Sequence, residues 1–388
     1  MFDTIRQFSD RVLGRGDAAI TVPVMDGALK PNRVLDDAEV VATLPDIDDL
    51  ATDGTMLFAT AGAVLYRLDA GRLVEVQRFD ADITALAVRS ADRLAVALAG
   101  KRIVLMSSDR KRPGNLIEIA TLDRLGDAPL HSVNALSFEA DDSVLFSDGS
   151  TRRGPDDWCR DLMEKGQTGR VARWRVGLGA GTNSGPGTVE LLASRLQYAY
   201  GVLPRTEAVA DRQVKAGGVR YSESWRHRVV QAGLQAGSQP VLADLPGYPS
   251  RMAPAARGGF WLTCFVCRTQ LVEFVLREDA YRTRMLESVD PRYWVAPSLR
   301  SGTSYLEPLQ GAGVKQMGVL KPWAPPRSYG LVLHVDAQGH TTESLHSQVD
   351  GQHHGITAVV EFGGALYAAS RGSGRLLRVP LTGPGAMQ

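Results

Sequence analysis

The chain has 388 residues, in which 44 lysines and arginines almost cancel 43 acids to leave a formal charge of +1. Both signs are interspersed along its length, so no basic stripe is available to neutralise a nucleic-acid backbone, and nucleic acid is not an expected partner. Three cysteines, Cys159, Cys264 and Cys267, are too few and of the wrong parity for a disulfide framework, and no apolar run approaches the roughly eighteen residues of a membrane span.

The first residues, MFDTIRQFSDRVLGRGD, carry Asp3, Arg6, Asp10 and Arg11 where a secretion signal needs an unbroken apolar run. Phe2, Ile5, Phe8 and Val12 instead share one side of a short amphipathic helix. Residues 1–36 are therefore expected to form a helix and an extended segment, and the chain to be cytoplasmic. Such a helix packs against its own protein, or makes peripheral contact with a membrane surface.

From residue 37 onward one unit recurs: an alternating strand, a small or acidic turn, a strand rich in small residues, then a third and a fourth strand. Residues 49–76 and 85–107 are two copies. Residues 135–150 open a third, completed by GRVARWRV and TVELLA after an insertion at 155–166. LQYAYGV (196–202), VRYSES, RHRVVQAGL and PVLADL form a fourth. Residues 250–265 start a fifth, which resumes at YGLVLHVDAQGHTTESLHS after an insertion at 268–328. Residues 355–381 are the sixth, with three strands only. The solitary strand AEVVATL (38–44) is the natural fourth, since sharing one blade between the two ends closes a ring and leaves no open sheet edge. The pattern predicts an all-β, six-bladed β-propeller with short helical insertions capping one face.

PDDWCRDLMEKG (155–166) reads as a short helix, acidic at its start and ending on Lys165-Gly166. TQLVEFVLREDAYRTRMLESV (269–289) places Leu271, Phe274, Val275, Tyr281, Met285 and Leu286 at helical spacing, a stripe expected to pack on the propeller. The Gly- and Pro-rich run 297–326 reads as a loop over that roof. Cys264 and Cys267 form a C-x-x-C inside a strand, where residues three apart face opposite ways, so packed thiols are expected rather than a redox or zinc pair. No G-x-S-x-G, P-loop or H-E-x-x-H motif occurs.

FSDGSTR (146–152), DLMEKGQTGRVARW (161–174), ADLPGYP (243–249), GGFWL (258–262) and YGLVLHVDAQG (329–339) resemble, in order and spacing, the successive signatures of strictosidine-synthase-like proteins. These are six-bladed propellers related to the SMP-30/gluconolactonase and adipocyte plasma membrane-associated protein type. The resemblance spans about residues 46–380. It implies a channel-mouth site for a small organic substrate, where members hydrolyse esters or lactones or condense an amine with an aldehyde. It also implies, in metal-using members, a calcium ion held by several oxygens.

Carried over position by position, Asp48 stands where relatives place a first-blade Glu. Tyr198-Ala199-Tyr200-Gly201 stands for Phe-Pro-Asn-Gly, so Tyr200 replaces a ligand Asn. Pro249-Ser250-Arg251 stands for Pro-Asp-Asn, so Ser250 replaces an acid and Arg251 adds a cation. An anionic ligand lost and a cation gained argue against Ca2+, and no cofactor is expected. His354, or else Gly355, falls where the condensing enzymes carry their glutamate, beside His353. Histidine can carry a proton both ways at neutral pH, while a pair of solvated loop histidines is the plain alternative.

Asp148, in FSDGS, is a further catalytic candidate or a turn residue. Glu223 is a substrate-binding candidate, or more simply the salt-bridge partner of Arg226 or Arg228. Tyr198 and Tyr200, two apart, face the same way and would line an apolar pocket that Trp158 caps. The expected function is lactone or ester hydrolysis with His354 as proton carrier and Arg251, Tyr200 or Asp48 orienting the substrate. The alternatives are metal-free condensation or lyase chemistry, and a non-catalytic binding or scaffold propeller. Nothing in the sequence fixes an oligomeric state.

Overall fold

A computed structural model describes residues 22–381 apart from 110–114, 178–184, 209–213, 234–236, 303–314, 317–318 and 321–327. The helix expected over 1–17 and most of the loop expected over 297–326 lie outside the described residues. Six sheets of four antiparallel strands stand around an axis as a six-bladed β-propeller. Their innermost strands, Ile47–Thr52, Ile83–Ser90, Val133–Phe138, Ala199–Ala208, Gly247–Pro254 and Ile356–Phe362, form a closed ring in which each touches the next.

Outside blade four, the second strand of each blade is packed between neighbouring blades and reads as a mostly small or apolar run rather than an alternation. Leu57–Ala61 and Ala365–Ser370 are buried at every position. Each of the six blade interfaces has its own apolar core, for example Phe58, Leu65, Leu86 and Val96 between blades one and two, and Trp261, Leu345, Ile356 and Leu377 between blades five and six. The outermost strand of blade six is Glu39–Thr43, with Glu39 opposite Arg378 and Thr43 opposite Arg375. Just before it, the chain is tied to blade five: the Asn32 amide donates to the Ser344 carbonyl (2.8 Å), and Leu35 is fully buried.

The helices lie in the connections between the second and third strands of blades three and five, which open on one face. Helix α1 is Trp158–Met163; α2 is Gln270–Arg277 and α3 is Asp279–Ser288. The stretch expected as one helix is two, because Glu278 (ψ 80°) breaks the backbone turn. Val272, Val275 and Met285 face inward, whereas Phe274 and Tyr281 of the expected stripe are exposed. Lys165 after α1 bonds Asp279 of α3 (2.9 Å), and Leu162, Met163, Met285 and Trp294 pack over Tyr248 and Phe265, making a roof on that face. Cys264 and Cys267 are free, and burial pushes the Cys267 thiol up to about 12, so it stays protonated.

Candidate functional site

All six inner strands slip register at the same level. Pairing skips from Ile47 to Leu50, Ile83 to Ala85, Val133 to Ala135, Ala199 to Val202, Pro249 to Met252 and Ile356 to Ala358. The skipped residues are Asp48 and Asp49, Thr84, Asn134, Tyr200 and Gly201, Ser250 and Arg251, and Thr357. A bulge withdraws backbone groups from the sheet and re-aims side chains. Here it releases a ring of carbonyls at the axis. Hydroxyls of the second strands take over part of the lost pairing: Thr60 Oγ1 accepts from Asp49 N–H (3.0 Å) and Ser222 Oγ from Gly201 N–H (2.7 Å). Gly201 has no room for a side chain, since a Cβ would stand 2.3 Å from the Ser250 carbonyl.

The Arg251 guanidinium fills the centre of this ring. Nε donates to the Asn134 carbonyl (3.0 Å) and stands 3.1 Å from Asp49 Oδ2. Nη1 donates to the carbonyls of Asp48 (2.9 Å) and Thr357 (3.5 Å), and Nη2 to Asp48 Oδ2 (2.7 Å) and the Thr84 carbonyl (2.7 Å). The Tyr200 ring lies 5.3 Å from the guanidinium carbon. One side chain of blade five therefore touches the other five blades, and all five of its N–H groups are used.

Asp48 also accepts from Arg371 Nη1 (3.1 Å), and its carbonyl accepts from Thr357 Oγ1 (2.6 Å). Burial pushes this carboxyl up, but the two guanidinia together hold it below the usual carboxylate range. Asp49 accepts from the N–H groups of Leu50 and Leu86 (2.8 Å each), yet burial pushes it up to about 6 despite Arg251, the charge on Asp48 adding to the effect. Burial likewise pushes the Tyr200 hydroxyl up to about 12, and it has no hydrogen-bond partner among the described residues. Arg371, beyond Asp48, is partly exposed and reaches toward Asp156 (3.6 Å) of the blade-three insertion. On the side away from the roof, the channel opens into a cavity of about 360 Å³ walled by Leu86, Leu136, Val202, Met252 and Val359, with Asp49 and Arg251 among its lining.

The structure thus joins three of the expected site residues, Asp48, Tyr200 and Arg251, and disperses the rest. Asp148, fully buried, turns to Arg170 of the neighbouring strand and accepts from the Ser132 N–H (2.7 Å), so it is an interior ion pair rather than a channel group. Glu223 is held by Arg228 (2.6 Å) and by the Gln197 N–H (2.8 Å), the salt-bridge role. Tyr198 does not line the channel: it is stacked on Trp225 at 4.4 Å and is 1% exposed. Trp158 packs edge-on against Phe265 (5.1 Å) under the roof.

His353 and His354 are not solvated loop residues, both being 4% exposed. Burial, then the charge of Arg375, lowers the His353 pKa. His354 Nε2 lies 2.7 Å from the Gln348 carbonyl, and Nδ1 lies 3.2 Å from Ser301 Oγ in the blade-five insertion. Asp49, Arg371 and Ser301 were not among the expected site residues. Strict alternation puts Asp49 on the opposite face from Asp48, and only the bulge brings both to Arg251.

Calcium takes six to eight oxygens at roughly 2.3–2.6 Å. The six oxygens here stand at hydrogen-bond distance from a planar guanidinium, hence about 4 Å from its carbon, with that group between them. The residues therefore do not fit a metal on the axis. Among the described residues no cluster of three or more His, Cys, Asp or Glu is placed to hold one elsewhere.

No family model matches the chain. Adipocyte plasma membrane-associated protein of Mus musculus is 24% identical over 266 residues, covering 63% of this chain and 60% of the relative. That of Salmo salar is 24% identical over 267 residues, covering 66% and 54%. The chain thus spans between one half and two thirds of the length of these curated relatives. A solved gluconolactonase from Xanthomonas campestris superposes with a TM-score of 0.52 at 14% identity, covering 93% of this chain and 95% of its own, a likeness of fold. No helix among the described residues is long and apolar enough to cross a membrane.

Proposed function

As a six-bladed propeller of the SMP-30/gluconolactonase and adipocyte plasma membrane-associated protein type, this chain is, we propose, a hydrolase that opens a small lactone or ester at the roofed mouth of its channel. The observation that carries the reading is the setting of His354. A carbonyl only accepts, so the bond to Gln348 puts a proton on Nε2, and in the neutral ring Nδ1 carries the lone pair that acts as a base beside the Ser301 hydroxyl. Gly372, next to Arg371 in the chain, abuts both His354 and Leu299: a Cβ there would stand 2.7 Å from the His354 carbonyl and 2.0 Å from that of Leu299. The backbone of His354 therefore runs beside that of Gly372, the residue after Arg371.

In this reading Nδ1 takes a proton from a water that replaces the Ser301 hydroxyl, and the water oxygen adds to the acyl carbon. Arg371 and the neutral Tyr200 hydroxyl donate to the oxygen that becomes negative. Collapse breaks the acyl–oxygen bond, and the departing alkoxide recovers the proton from His354, giving a hydroxy acid from a lactone or an acid and an alcohol from an ester. Arg251 has no donor to spare and acts only by holding Asp48 and Tyr200.

The test is turnover of a panel of γ- and δ-lactones and aryl esters by the wild type, His354→Ala and Ser301→Ala. Loss in His354→Ala at unchanged melting temperature, with Ser301→Ala within about tenfold of wild type, is the expected outcome. Equal loss in both would make Ser301 the nucleophile. A folded wild type that turns over none of the panel would favour a binding platform, a reading that the doubly paired, weakly basic Asp48 also suits.

A further inference from the structure

We propose that Arg251 is a tethered central cation, so that ring closure and site geometry depend on a guanidinium of the chain itself and on no divalent ion. Four carbonyl dipoles and two carboxylates turn their negative ends to one point of the axis, and such a convergence needs a positive charge at its centre. The chain supplies it from Arg251, with Arg371 neutralising the outer oxygen of Asp48.

The cage suits a planar ion with donors directed along its plane. A guanidinium meets five or more oxygens at normal hydrogen-bond lengths, whereas a small spherical ion would have to draw every ligand inward by more than about 1 Å, against a ring whose strands are packed on both sides. The ligand class that this site takes is therefore a guanidinium or amidinium ion. In the native chain the ligand is covalently attached.

The experiment uses the full chain as wild type, Arg251→Ala and Arg251→Lys. Melting temperatures are read in EDTA, in millimolar CaCl2 and in millimolar ethylguanidinium chloride, and bound metal is measured by elemental analysis of the wild type. Wild type should contain no stoichiometric metal and melt identically in EDTA and CaCl2. Arg251→Ala should melt about 5 °C lower in EDTA and recover in ethylguanidinium but not in CaCl2. Arg251→Lys, which keeps a charge on the axis, should fold in EDTA.

An EDTA-sensitive wild type, a stoichiometric divalent ion in it, or an Arg251→Ala chain rescued by calcium and not by ethylguanidinium would overturn the proposal. An Arg251→Ala chain as stable as wild type in EDTA would do so too. If Arg251→Ala does not fold, the wild-type measurements and the metal requirement of Arg251→Lys still decide. None of these readouts involves turnover, so the inference stands or falls separately from the hydrolase reading.

Discussion

Asp49 titrates against the usual sense for a carboxylate, and this makes Asp49→Asn an informative perturbation. Burial outweighs the Arg251 guanidinium and lifts its carboxyl from 3.8 to about 6. A raised carboxyl pKa means that the folded state holds the proton more tightly than the unfolded chain. The group therefore costs nothing below the unfolded value, and its penalty is complete once the pH has risen past the folded one. The gap of about 2 pH units, at about 1.4 kcal/mol each, corresponds to about 3 kcal/mol.

With an unfolding entropy of about 2.1 cal/mol/K per residue, a chain of 388 residues carries about 0.8 kcal/mol/K, so 3 kcal/mol is about 4 °C. Asparagine resembles the protonated acid in shape and keeps one acceptor, for the Leu50 N–H at Oδ1 or the Leu86 N–H at Oδ2 but not both, a loss that does not depend on pH. The melting temperature of the variant relative to wild type should rise by about 4 °C between pH 4 and pH 7. Asp48, whose pKa is lowered, contributes stability that both proteins lose on acidification, and so it cancels in the difference. Differential scanning calorimetry at half-unit steps from pH 4 to 7 reads the effect. A difference that is flat across that window, or that grows in favour of wild type, would refute the reasoning by showing that Arg251 holds Asp49 ionised.

Three further outcomes are expected. Asp148→Asn leaves Arg170 buried without its counter-charge and should destabilise the chain by about 3 kcal/mol in denaturant titration, with turnover per folded molecule unchanged. Tyr200→Phe removes a hydroxyl that bonds no described residue, so its melting temperature should stay within about 1 °C of wild type while kcat/KM on the active substrate falls about tenfold. Deleting residues 1–45 exposes the Arg375–Pro380 edge and removes the fully buried Leu35 along with the partly buried Val41 and Ala42. At about 2 kcal/mol for Leu35 and a similar sum for the rest, the melting temperature should fall by about 5 °C, and an unchanged melt would mean that blade six closes without that strand.

The propeller was legible in the residues because its signal is local and repeated. Period-two strands such as ITAVVEF, small-residue second strands such as LFATA and ALYAAS, and short turns between them each report the same unit, and six copies point to one architecture, a ring of short sheets. Asp48, Tyr200 and Arg251 were singled out by the family resemblance, as the residues standing where relatives carry ligands or their neighbours, and each lies on an inner strand.

What the residues did not disclose depended on register and on distant partners. Whether Asp49 joins Asp48 is decided by a bulge, and a bulge is a relation between two strands that one strand's alternation cannot show. The hydroxyls of Thr60, Ser147, Ser222 and Thr263, one in each of four second strands, were a trace of it. That Asp148 answers to Arg170, that Tyr198 stacks on Trp225 and that His354 meets Ser301 follows from contacts between segments 22 to 53 residues apart. The sequence by itself determined the repeat and hence the ring. Only the folded ring decided which charges meet on its axis, because a side chain's partner there comes from whichever blade the closure brings opposite.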